Sequence, residues 1–177
     1  KRAALDRLLA RVLLVTVSYG HFTVEHNRGH HVRVATPEDP ASARYGEAFW
    51  AFLPRTLIGS LRHAWALERA EVLLPWAATL AIAAALGVAF GPLAAAFFFG
   101  QSAMAVTLLE AVNYIEHYGL QRRKLPDGRY ERPDARHSWD AYEWLSNAFL
   151  VHLQRHADHH LNPMRPYGAL QPQADSP

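Results

Sequence analysis

Apolar and polar positions are spread very unevenly along this chain. From Val72 to Leu109 no residue carries a charge. As one helix that stretch would be roughly 57 Å long, about twice the hydrocarbon thickness of a bilayer. Gly91-Pro92 interrupts it near the middle. The pattern therefore predicts a helical hairpin, 72–90 and 92–118, with each arm long enough to cross a membrane. A buried helix pair in a soluble protein is the alternative, and two uncharged runs of spanning length argue against it. Upstream, Leu5, Leu8, Leu9, Val12, Leu13 and Val15 recur at helical spacing, so 3–24 reads as a helix. Its uncharged part, Val12 to Val24, is short for a span and contains Ser18, Gly20 and His21, which predicts an interfacial or partly inserted helix. Thr36-Pro-Glu-Asp-Pro40 reads as a turn. Residues 42–69 read as an amphipathic helix broken at Pro54, whose Tyr45, Phe49, Trp50, Phe52 and Trp65 suit a membrane interface. A polar loop, 121–136, turns at Pro126-Asp127-Gly128, a last helix is expected over 140–160, and the tail beyond it is irregular. The expected class is an all-α membrane protein in a single domain, 1–177. Its parts are an interfacial helix with a first histidine cluster (1–31), a transmembrane hairpin (72–119) and a cytoplasmic helix with a second cluster (140–160).

Charge refines this picture. The net charge is +2, the isoelectric point is about 9.1, and nearly all of the 18 basic residues are arginine. Between Glu71 and Gly119 there is no Lys or Arg, so no basic stripe for a phosphate backbone runs along the chain, and no nucleic-acid partner is expected. Both flanks of the hairpin, 28–69 and 121–136, are rich in arginine while its tip, 87–92, is uncharged. The positive-inside rule places both flanks in the cytoplasm. Cysteine is absent, which excludes disulfides and thiolate metal sites. No signal peptide opens the chain, and Lys1 is not an initiating methionine, so the sequence reads as a fragment.

Histidine is the unusual residue. Of 11 in the chain, most fall in Glu25-His-Asn-Arg-Gly-His-His31 and Arg155-His-Ala-Asp-His-His160. On a helix, His26 and His30 share a face, and His31 lies about 100° round, able to reach a second, neighbouring ion. His156, His159 and His160 stand at i, i+3 and i+4. Neutral imidazoles at such spacing bind iron, zinc, copper or nickel. A lone histidine is ordinarily a surface or hydrogen-bonded residue; two such clusters flanking a hairpin are not. His117, at the end of the second arm, returns to the same side as both clusters. Glu110 lies two turns before it, in or near the hydrocarbon, where a carboxylate needs a reason. Glu25, Glu116 and Asp158 each adjoin a candidate ligand and suit a second layer that accepts the far N–H of an imidazole. The remaining histidines, His21, His63, His137 and His152, are read as ordinary.

Three of these stretches, EHNRGHH, NYIEHYGL and LQRHADHH, resemble three of the four signature motifs of the membrane-bound alkane 1-monooxygenases: EHxxGHH, NYxEHYGL and LQRHxDHH. KLPDGRYERP and the following HSW are also similar to that family. The resemblance implies two non-haem iron ions held by His26, His30, His31, His117, His156, His159 and His160. It implies terminal hydroxylation of an alkane drawn from the bilayer, with O₂ and with electrons from rubredoxin on the cytoplasmic face. The location implied is the bacterial inner membrane. The family's first motif, HELGHK, is absent, with Lys1 at or next to its end. Two ligands and the earlier membrane helices are therefore missing, and the chain alone is expected to be inactive. Arg122, Arg123, Lys124 and Arg129 form a candidate basic surface for an acidic electron donor, or simply a positive-inside loop. Two other readings stand beside this one: a membrane fatty-acid desaturase or lipid hydroxylase of similar architecture, and a histidine-rich metal-binding membrane protein without catalysis.

Overall fold

The computed structural model describes residues 2–177, so Lys1 lies outside the described residues. Among these there is no β-strand, only an isolated bridge between Lys124 and Tyr130. The helices are α1 (Arg2–Thr16), α2 (Phe22–Glu25), a π-helical turn (His26–His30), α3 (His31–Arg33), α4 (Phe49–Leu67), α5 (Ala70–Phe90), α6 (Pro92–His117), α7 (Trp144–Phe149) and α8 (His156–Leu161). They fall into two units. The first comprises the residues up to Gly29 together with Thr56–Glu110, and the second comprises His30–Arg55 together with Ala111–Pro177.

The hairpin is α5 and α6. Gly91 ends α5 with φ +89°, a conformation that glycine reaches without a Cβ penalty, and its N–H bonds Gly87 O at 3.0 Å. Pro92 then opens α6 at the position where its missing N–H costs nothing. Both helices are long and apolar enough to cross a membrane. Only 17 % and 11 % of their most apolar windows are buried inside the protein, whereas the core helix of a soluble protein would be mostly covered. Leu74, Val88, Leu93 and Phe97 all point outward. An apolar surface of this extent belongs in lipid.

In the first unit, α1 packs on α5 and stops at Thr16 instead of running on to residue 24. Side chains from the membrane helices reach its last carbonyls: Thr79 Oγ1 donates to Val15 O at 2.9 Å, beside the Ser18 N–H at 3.1 Å, and Gln101 Nε2 donates to Thr16 O at 2.7 Å. The chain then bends through Ser18 (φ +57°) and Gly20 before α2. A Cβ on Gly20 would lie 2.3 Å from Pro75 Cβ, so only glycine permits this approach. Val24, Ala64 and Val72 form a small apolar core with Leu67 and Trp76. Helix α4 differs from expectation by starting later, at Phe49, and passing through Pro54 unbroken. The proline forfeits one N–H bond in the second turn, which 19 residues of helix absorb.

In the second unit the helix expected over 140–160 is two short helices. Val151 and His152 adopt positive φ (52° and 66°), which ends α7 and starts a turn. Asp140, outside any helix, instead accepts the Ala157 N–H at 2.8 Å and so caps α8. Arg122 is also turned inward, donating to Val32 O and Glu131 O, and is 6 % exposed. It is therefore not part of a basic surface.

Candidate metal centre

The motif EHNRGHH folds as the π-helical turn that runs into α3, a local irregularity common at functional sites. It presents His30 at its end. His117 is the last residue of α6, while His156 and His160 lie one turn apart on α8. The ligand atoms of His30, His117, His156 and His160 all lie within 4.8 Å of one another, and all four residues are buried. Their Nε2 atoms approach closely: His30 to His160 at 3.2 Å, His117 to His156 at 3.1 Å, and His156 to His160 at 3.0 Å.

The opposite ring nitrogens explain why the Nε2 atoms can face one another. His117 Nδ1 faces His137 O at 3.4 Å, and a carbonyl can only accept, so the proton is on Nδ1 and Nε2 carries a lone pair. His30 Nδ1 lies 2.9 Å from Asp39 Oδ2. Asp39 is itself held by Ser42 Oγ at 2.6 Å and by the Ala41 N–H. Burial pushes its carboxyl upward, but His30 and Ser42 outweigh that and keep it below the usual carboxylate range. His156 Nδ1 lies 3.1 Å from Glu116 Oε2. Lone pairs converging in a dry site repel unless a cation lies among them. Nitrogens bound at about 2.1 Å stand roughly 3.0 to 3.4 Å apart in octahedral or tetrahedral geometry, which matches the observed spacing. These residues fit a metal ion.

Electrostatics favour the ligating form. Burial, reinforced by His156 and His30, holds His160 well below its ordinary pKa. A second pair adjoins the first group: His31 Nε2 and His159 Nε2 are 3.1 Å apart, and the His31 and His160 rings are 4.6 Å apart. Burial, then neighbouring His30 and His159, lowers His31 to about 3, and burial lowers His159 to about 4. All three are neutral at physiological pH, as metal binding requires. His26 opens the π-turn, with its ring stacked on Phe22 at 4.8 Å.

The carboxylates divide. Glu116 stands against a candidate ligand. Glu110 accepts from Tyr19 Oη at 2.8 Å and Thr56 Oγ1 at 2.9 Å in the first unit, which explains how α6 tolerates it. Glu25 lies 3.6 Å from His63 Nδ1, so His63 has a specific neighbour. Asp158 binds no imidazole; Asn162, Arg165, Gln171 and Gln173 surround it. Asp39 and the His137 carbonyl were not legible as imidazole partners. Asp39 sits in a turn outside any helical repeat, and a backbone oxygen has no sequence signature. His152 joins neither group, because the left-handed turn at 151–152 removes it from α8.

An apolar hairpin, an all-helical fold among the described residues and a dry convergence of imidazoles that could hold metal define the class, a histidine-rich membrane protein. The chain belongs to the fatty acid desaturase family, whose model matches residues 1–175. It is 44 % identical over its whole length to alkane 1-monooxygenase 1 of Alcanivorax borkumensis and 45 % identical to alkane 1-monooxygenase 1 of Pseudomonas aeruginosa, covering 47 % and 50 % of them. It is 23 % identical to the xylene/toluene monooxygenase hydroxylase component XylM of Pseudomonas putida, covering 50 % of it. The chain thus spans about half the length of the curated relatives it matches.

Proposed function

We propose that the protein hydroxylates the terminal carbon of alkanes: R–CH₃ + O₂ + 2 e⁻ + 2 H⁺ gives R–CH₂OH + H₂O. The observation that carries this reading is the similarity to alkane 1-monooxygenases along the entire chain at 44 to 45 % identity, with every histidine motif inside the matched region. The residues that would hold metal are His30, His117, His156 and His160 for one ion and His31 and His159 for a second. His26 is included on its place in EHNRGHH. Two irons held there would supply the reductive activation of O₂ that a strong methyl C–H bond demands. The chain's own residues keep the imidazoles neutral, fix the tautomers of His30 and His117 through Asp39 and the His137 carbonyl, and exclude water. Residues 1–177 act in this reading as a single domain.

Rubredoxin is the electron donor in this proposal. The setting is the bacterial inner membrane, with several spans and the histidines on the cytoplasmic side, where the arginine-rich flanks lie. An alkane dissolved in the bilayer then reaches the site laterally, and a soluble donor reaches it from the cytoplasm.

The test uses membranes containing the full-length enzyme, supplied with NADH, rubredoxin reductase, rubredoxin and a series of n-alkanes. Product is analysed by gas chromatography and metal content by mass spectrometry. The expected result is 1-alkanol formation that requires O₂ and rubredoxin, together with two irons per chain. His156→Ala and His30→Ala should each lose bound iron and turnover. Desaturated lipid in place of alkanol would move the assignment to a desaturase, and zinc without turnover would move it to a metal-binding protein.

A further inference from the structure

The segment after α8 should be loose by composition: Asn162 to Gln173 includes prolines and glutamines, and its one regular piece is a single 3₁₀ turn, Tyr167–Ala169. It is instead tightly held, and Asp158 is the centre of the grip. Asp158 is completely buried. Its Oδ1 accepts from Asn162 Nδ2 at 2.8 Å, Arg165 Nη1 at 2.8 Å and Gln173 Nε2 at 3.0 Å. Its Oδ2 accepts from Arg165 Nη1 at 2.6 Å and the Gln171 N–H at 2.8 Å. A carboxylate offers about four lone-pair sites, so nothing remains for an imidazole. Around this centre, Arg155 Nη1 donates to Leu170 O at 2.6 Å, and Leu170 is fully buried. Tyr142 Oη donates to Gln173 O at 3.1 Å. The Tyr167 ring stacks on His159, with centroids 5.2 Å and planes 28° apart.

Helix α8 needs such support. It has six residues, far below the length at which a helix persists alone in water. Asp140 caps its start, but its last turn carries His159 and His160, whose directions decide whether their Nε2 atoms meet those of His31, His30 and His156.

We propose that Asp158 is a positioning residue that clasps segment 162–173 across α8, and that the clasped segment fixes the directions of His159 and His160. The inference rests on reading those two histidines as ligands. It replaces the expectation that this motif aspartate serves a neighbouring imidazole.

The chain is tested in detergent micelles as wild type, Asp158→Ala, Asp158→Asn and Arg165→Gln. Amide hydrogen exchange is followed by mass spectrometry, and binding is followed by the visible absorption of added Co(II). In Asp158→Ala, exchange across α8 and 162–173 should rise by about tenfold while α5 and α6 exchange as before. Co(II) should still bind, about 10- to 100-fold more weakly and with a shifted spectrum, because the remaining ligands are intact but misaligned. Arg165→Gln should act in the same direction, and it decides the matter if the alanine variant does not fold. Asp158→Asn, which keeps one oxygen acceptor, should restore part of both readouts. Unchanged exchange in α8 overturns the clasp. A loosened tail with wild-type Co(II) affinity and spectrum overturns the positioning role. If the wild type binds no Co(II), the ligand reading and the positioning role fall together, and the exchange data still separate a structural clasp from none.

Discussion

Single atoms decide several features of this molecule. At Gly20 the missing Cβ lets the bend after α1 lie against Pro75. Gly20→Ala would place a methyl 2.3 Å from a rigid ring carbon. Expected destabilisation is about 1 to 3 kcal/mol, read as a lowered Tm in micelles; an unchanged Tm would refute the close approach. His21 is buried with neither ring nitrogen hydrogen-bonded, and burial lowers its pKa to about 4. Its folded pKa lies below the unfolded value near 6.5, so between those values the unfolded chain binds more protons and stability rises with pH. The contribution is complete above pH 6.5 and is lost as pH falls toward 4, by on the order of 3 kcal/mol. His21→Phe should flatten the slope of Tm against pH in that window. Asp39 acts through His30. Asp39→Ala should weaken metal binding by about 10- to 100-fold, and Asp39→Asn by less, as measured by competition with a chelator of known affinity.

Elements are positioned here by polar side chains as much as by apolar packing. The C-terminus of α1 is anchored because Thr79 and Gln101, on helices that otherwise read as lipid-facing, reach its last carbonyls. Thr79→Val keeps the shape and removes one donor, leaving Val15 O with the Ser18 N–H at 3.1 Å as its partner. The cost should be about 0.5 to 1.5 kcal/mol, seen as a Tm decrease and as faster hydrogen exchange at the end of α1. The same logic divides 140–160. A continuous helix would sweep His152 onto the face of His156. The turn at Val151 and His152 separates α7 from α8 and leaves Asp140 free to cap the latter.

At the scale of the whole molecule, α5 and α6 determine where the protein resides. Leu80 lies in the middle of α5 and is 56 % exposed. An arginine at a helix centre costs about 2.5 to 3.5 kcal/mol on insertion. Leu80→Arg should therefore shift part of the protein from the membrane pellet to the supernatant after alkaline carbonate washing, while the parent remains in the pellet. Equal retention of both would argue against α5 as a span.

The hairpin with its Gly91-Pro92 tip and the candidate ligands were legible in the order of residues, because both are short-range patterns: a long uncharged run, and imidazoles at helical spacing. The convergence of His30, His117, His156 and His160 was implied by the family resemblance and not by spacing. It joins positions far apart in the chain, and no periodicity encodes which ring nitrogens will face one another. Asp39, the His137 carbonyl, the unbroken passage of α4 through Pro54 and the tail gripped by Asp158 belong to the same class. Local propensity read from sequence fixes which elements form and which side chains they can offer. Tertiary packing alone chose their partners, because the burial that makes a hydrogen bond or a neutral imidazole obligatory exists only once distant segments have excluded water together.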